Sequence, residues 1–152
     1  MRLLWALCVY GGHILTLIKI LFLGASVQVT ATPIDIEKSP LTFDIPKGLN
    51  VVTTGAHLLV DISENVNVSN LLEARKSATL KYSKGCVKVQ MITEDNKEFI
   101  FSNQSVLWSK GKVLLSFNST NKLTTDLIFT KVVIQSCHSI QGAKIVWVNY
   151  KH

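Results

Sequence analysis

"CVKVQMITEDNKEFIF", residues 86–101, decides the fold. Counted by twos, Val87, Val89 and Met91 fall on one side of an extended chain and Lys88 and Gln90 on the other, while Phe99 and Phe101 repeat the spacing further on. That period belongs to a strand with one buried face. Between the two runs stand Asp95 and Asn96, side chains that tolerate the positive φ of a tight hairpin. Residues 106–117, "VLWSKGKVLLSF", repeat the device with Lys110 and Gly111 at the joint. An antiparallel meander from Cys86 to Phe117 follows.

Working outward, further runs rich in β-branched residues are "LTFDI" (41–45), "VVTTGAHLLVDI" (51–62), "ATLKY" (78–82), "LIFTKVVIQSC" (127–137) and "AKIVWVNY" (143–150). These predict strands, with "EFIF" and "SVLW" as two separate short ones. Ile145, Val146, Trp147 and Val148 leave no polar face, the pattern of a strand covered on both sides. One segment departs from the pattern. In "NLLEARKSA" (70–78), Asn70 precedes Glu73 by three residues, the spacing of a capping box, and good helix formers follow, so two helical turns are predicted. The fold class expected is all-β: an antiparallel β-sandwich, jelly-roll or immunoglobulin-like, with one short helix and one disulfide.

The N-terminus reads differently. Residues 3–29 form an apolar stretch behind Arg2, ending in small residues at "GAS" (to Ser26) and "VTA" (to Ala31). A basic residue, an apolar run and small residues before a cut are what a signal peptidase reads. Residues 1–31 are therefore expected to be a signal peptide, cut at Ala31 in preference to Ser26, and residues 32–152 a single domain. Lys19 interrupts the run, so a comfortable membrane span of 18 apolar residues is lacking. A retained anchor is the alternative, and the only expected membrane contact. The expected location is secreted or periplasmic.

Export bears on the cysteines. Cys8 leaves with the leader, and Cys86 and Cys137 are the two that stay. In an oxidising compartment two such cysteines form one disulfide. Cys137 stands beside His138 in "SCHS" (136–139), which raises the question of a reactive dyad or a metal pair. If the strand from Leu127 runs through Cys137, its neighbour His138 points to the opposite face, and neither chemistry is expected. The disulfide is expected to clamp two strands from outside the core or to close a rim.

Other chemistry is sparse. The sequence holds no Gly-rich phosphate loop, no GxSxG and no HExxH, each of which would place a nucleophile, phosphate or metal. His57, His138 and His152 have no partners at metal-ligand spacing, and no metal or cofactor is expected. Acids cluster at Glu94, Asp95 and Glu98, where a hairpin solvates them. Removing Arg2 and Lys19 leaves 14 basic against 10 acidic residues, a net +4. The lysines are scattered and not interleaved with a run of aromatics, so nucleic acid is not indicated as a partner.

Trp108, Tyr82 and Tyr150 are candidate ligand-stacking residues, and Trp147 a core residue. Asn67, Asn103 and Asn118 open N-x-[ST] sequons and are candidate glycosylation sites. The function expected is a small exported binding module, non-catalytic, recognising an unknown protein, a glycan or a partner subunit. The alternatives are a secreted hydrolase with acids drawn from separate strands and a toxin-like or inhibitory effector acting through its loops.

Overall fold

The computed structural model describes residues 25–82 and 85–149. Residues 1–24, most of the segment 1–31 expected to be a signal peptide, lie outside them, as do Tyr150 and His152. Among the described residues nine strands are present: β1 Ala25–Gln28, β2 Ile34–Ile36, β3 Leu41–Asn50, β4 His57–Asp61, β5 Val87–Thr93, β6 Glu98–Ser109, β7 Lys112–Ser119, β8 Ile128–Ser136 and β9 Ile140–Asn149. One helix, α1, spans Leu71–Tyr82, and a short 3-10 turn covers Ser63–Asn65. Every strand pairing is antiparallel. The order across the sheet is β1-β9-β4-β7-β6-β5-β8-β3, with β2 also on β9.

That order corrects the sandwich expectation. The strands form one continuous sheet, and the sheet is curled into a half-barrel rather than divided into two facing layers. The cause lies in the chain's connections. β8 and β9 occupy the seventh and second places, which a flat sheet would set about 24 Å apart at a spacing of about 4.8 Å per strand. Only residues 137–139 join them, and a stretch that short reaches at most about 14 Å between the flanking Cα atoms. The sheet must therefore bend until the two strands approach. Along the resulting seam β2 pairs with β9, and Ser136 N–H donates to the Glu37 carbonyl at 2.8 Å. Further along, Val52 N–H donates to the Asn149 side-chain oxygen at 3.2 Å.

The hairpins form where the sequence places them. Asn96, Lys110 and Gly111 all adopt positive φ. Thr93, at the end of β5, receives the Lys97 N–H on its hydroxyl and tightens the first turn. "EFIF" and "SVLW" prove to be one strand, β6, bent by a register break between Asn103 and Ser105. A bulge adds one residue to one side of a ladder and bends it, so the run continues instead of ending. The region 51–56, read as strand, is mostly loop: Thr53, Thr54 and Gly55 turn the chain, with Ala56 N–H on the Thr53 carbonyl. "ATLKY" is the second half of α1 and not a strand. Ala74, Ala78 and Tyr82 recur every four residues and are buried, which gives the helix one packed face, against β6 and β7. Asn70 caps it, its side chain accepting the Glu73 N–H at 3.3 Å.

Inside the curl, Val87, Val89, Met91, Phe99 and Phe101 are buried as their alternation requires. Trp147 is fully buried and meets Phe101 and Phe129 edge-on, at centroid distances of 6.0 and 5.7 Å. Three strands, β6, β8 and β9, thus fill one interior with aromatic rings. At the open edge, β3 carries Pro46 and a register break between Asp44 and Leu49, two devices that discourage pairing with another chain. The opposite edge is covered by β1. Beyond it Val29 is buried and gives its N–H to the Ile145 carbonyl, while Ile145 N–H returns a bond to the Thr30 hydroxyl at 3.1 Å. Residues 25–30, read as part of the leader, thus lie along β9 in this sheet.

Candidate functional site

A sheet strand buries one face and offers the other, so the outward positions of β5, β6 and β8 define a surface. Thr42, Val133, Gln90 and Ile100 lie in register across β3, β8, β5 and β6. Lys88 and Gln135 pair one step along. Val133, Gln90, Ile100, Lys88 and Gln135, together with Pro40, line a shallow groove of about 490 Å³. Ile100 is 60% exposed, although both of its neighbours, Phe99 and Phe101, are core residues. An aliphatic side chain held out between two core phenylalanines gains nothing for the fold, and a partner that covered it would bury apolar surface.

The groove's chemistry is narrow. Lys88 is the one titratable side chain in its lining, and no carboxylate is among the lining residues. Gln90 and Gln135 present amides that can both donate and accept. Such a surface offers an apolar contact flanked by hydrogen-bonding groups and one positive charge. Acid–base chemistry by a positioned pair of side chains has no basis there. A smaller hollow adjoins it, sharing Lys88 and Gln135 and adding Lys38, Cys86, Ser136 and Cys137.

The disulfide lies at that second hollow. Cys86 and Cys137 are bonded, with Cα atoms 4.9 Å apart. It closes the rim where two adjacent strands end: Cys86 immediately precedes β5, and Cys137 immediately follows β8. The strand ends at Ser136, so the alternation expected to separate Cys137 from His138 does not apply. His138 turns back with its N–H on the Ser136 hydroxyl at 3.3 Å, and its ring stands edge-on to Tyr82 at 6.4 Å. A ring nitrogen of His138 and the two sulfurs all lie within 4.8 Å of one another.

The remaining predicted residues are dispersed. Tyr82 is fully buried, so its ring is packed rather than offered to a ligand, and among the described residues its hydroxyl has no hydrogen-bond partner. Trp108 is half-buried, paired with Val113 and packed against the core. The two do not form a shared platform, and Tyr150 lies outside the described residues. Asn67 is exposed and accepts both the N–H and the hydroxyl of Ser69. Asn118 is exposed on the outer face, opposite Ser102 and His57. The Asn103 amide donates to the Tyr82 carbonyl at 3.3 Å and ties β6 to the end of α1. At His57, burial lowers the pKa from its ordinary value, and a contact with the Gly55 carbonyl partly offsets this.

Sequence reasoning missed Ile100 and its groove. A signal was present: in "EFIF" apolar residues occupy both faces of one strand, and only one of those faces can meet the core. No protein-family model, curated protein or solved structure matches this chain.

Proposed function

We propose that this protein is an exported, non-catalytic binding module whose groove on β5, β6 and β8 receives a protein partner. The observation that carries the reading is Ile100, exposed in a groove whose lining has amides and one lysine but no acid. A protein partner is favoured over a glycan because the aromatic side chain in the lining, Phe101, is only 2% exposed, whereas sugar sites rely on an open ring face. Lys88, with Lys38 beyond it in the adjoining hollow, favours an acidic group next to the partner's apolar anchor.

The test is native electrophoresis of the protein taken from its own compartment. The wild-type chain is expected in a complex, and Ile100→Asp is expected to release it as a monomer with an unchanged melting temperature. Lys144→Glu, a control outside the groove, should leave the complex intact. A wild-type chain that runs as a free monomer, or an Ile100→Asp chain that stays in the complex, contradicts the proposal.

Export remains part of this reading, supported by a disulfide that suits an oxidising location. Of the two cut sites read in the sequence, the one after Ser26 keeps Val29 and Thr30, which cover the β9 edge; the one after Ala31 removes both and leaves the buried Ile145 N–H without its acceptor. An unsatisfied buried donor costs about 1–3 kcal/mol. The mature chain is therefore predicted to begin at Val27. Sequencing its N-terminus decides this, and a start at Thr32 would show that β1 is dispensable.

A further inference from the structure

We infer that Asn67 carries an N-linked glycan, and that this glycan screens the apolar start of α1. The inference rests on the export part of the reading above and not on the groove.

Two independent observations meet at this residue. The first is the bare surface that follows it. Val68, Leu71 and Leu72 are 40%, 50% and 74% exposed, large apolar side chains that come directly after Asn67 in the chain. The fold has no use for them, since the packed face of α1 is Ala74, Ala78 and Tyr82. Left to water, such a cluster invites association between chains. A glycan is bulky and solubilising, and one attached at the head of the cluster covers it without any partner.

The second observation is the acceptor. Asn67, Val68 and Ser69 form an N-x-[ST] sequon. Asn67 is exposed in the loop between the 3-10 turn and α1. Its side-chain oxygen accepts the Ser69 N–H at 3.1 Å and the Ser69 hydroxyl at 2.7 Å. Both bonds fall on the oxygen, so the amide nitrogen that bears the sugar takes no part in them. The other two sequons differ. Asn103 is half-buried opposite the core residue Phe117, and its nitrogen donates to the Tyr82 carbonyl at 3.3 Å. A sugar there would break the tie between β6 and α1. Asn118 stands on the outer face opposite Ser102, which lines the groove around Ile100, where a glycan would crowd the proposed partner. Asn67 joins an accessible amide to an apolar cluster that needs a cover.

The transfer balances. The Asn67 nitrogen forms a bond to the anomeric carbon of an oligosaccharide carried on a polyprenyl diphosphate. The bond from that carbon to the phosphate oxygen breaks, polyprenyl diphosphate leaves with the electron pair, and the amide gives up one proton. An oligosaccharyltransferase met during export supplies the catalyst and the donor.

The test uses the full chain made in its native host and separated into cytoplasmic and exported fractions. The exported protein is digested, treated with a peptide N-glycosidase in heavy-oxygen water and read by mass spectrometry. A labelled aspartate at position 67 and an unlabelled Asn103 are expected. Ser69→Ala, which keeps Asn67, and Asn67→Asp, which keeps an acceptor for Ser69, should each lose the modification, melt at the wild-type temperature and self-associate in sedimentation. Adding Leu72→Ser to either should disperse the chains again. An exported chain with Asn67 bare, a glycan at Asn103 in its place, or unmodified variants as dispersed as wild type overturns the inference. A chain retained in the cytoplasm with Asn67 bare overturns the export reading, and this inference with it.

Discussion

Cys137→Ser is expected to destabilise the oxidised protein by about 2–5 kcal/mol, and Cys86→Ser by about as much. The bond closes a chain segment with a sequence separation of 51, for which chain entropy alone gives about 4 kcal/mol. Its position adds a reason. It ties the ends of β5 and β8, neighbours in the sheet whose ladder closes at Val87 and Ser136, so it holds that end of the pairing as well as shortening the unfolded chain. The double replacement should be no worse than either single one, since both remove the same bond. His138→Gln in the oxidised protein should change stability by no more than about 1 kcal/mol, as for an exposed residue outside the core. Thermal or denaturant melts of the four variants provide the check. A Cys137→Ser chain as stable as wild type would mean that this end of the β5–β8 pair is held by hydrogen bonds and packing alone.

The second large effect lies in the interior. Trp147→Ala is predicted to cost about 3–5 kcal/mol, the range for removing a large buried aromatic. The side chain is fully buried and lies against Phe101 and Phe129, so its loss opens a cavity bounded by three strands that no neighbour can easily fill. Trp147→Phe should cost much less. It keeps most of the ring contact and removes an indole N–H that has no hydrogen-bond partner among the described residues, a donor that is unfavourable to bury. Urea titration of both variants measures the difference. Equal losses for Ala and Phe would place the importance of Trp147 in something other than the packing of its ring.

These two residues also show how much of the molecule could be read before its structure was known. Cys86 and Cys137 were legible from compartment and count, and the hairpins from Asn96, Lys110 and Gly111, because these features act locally. The core side of β5 was equally plain, since Val87, Val89 and Met91 alternate. What escaped was non-local. A strand with one apolar face reads the same in a sandwich and in a curled sheet, and only the joining of the seventh strand to the second decides between them. Thr79 and Tyr82 suggested a strand, yet Ala74, Ala78 and Tyr82 share a helical face, and packing outweighed local preference. Val29 and Thr30 read as leader because their small and apolar neighbours fit both a cut site and an edge strand. The turn of His138 back toward Ser136 was hidden for a related reason: the strand was read as running through Cys137, and it stops one residue earlier.

The central claim is that the outward face around Ile100 is where a partner protein sits. Its most direct test replaces Ile100 with a photo-crosslinking amino acid and, in a second chain, places the same probe at Lys76 on the exposed side of α1. Both chains are produced in the native host and irradiated there. One discrete adduct from position 100, absent from position 76 and lost when Lys88→Glu is added, is the predicted result. No adduct from position 100, or the same adducts from both positions, would contradict the claim.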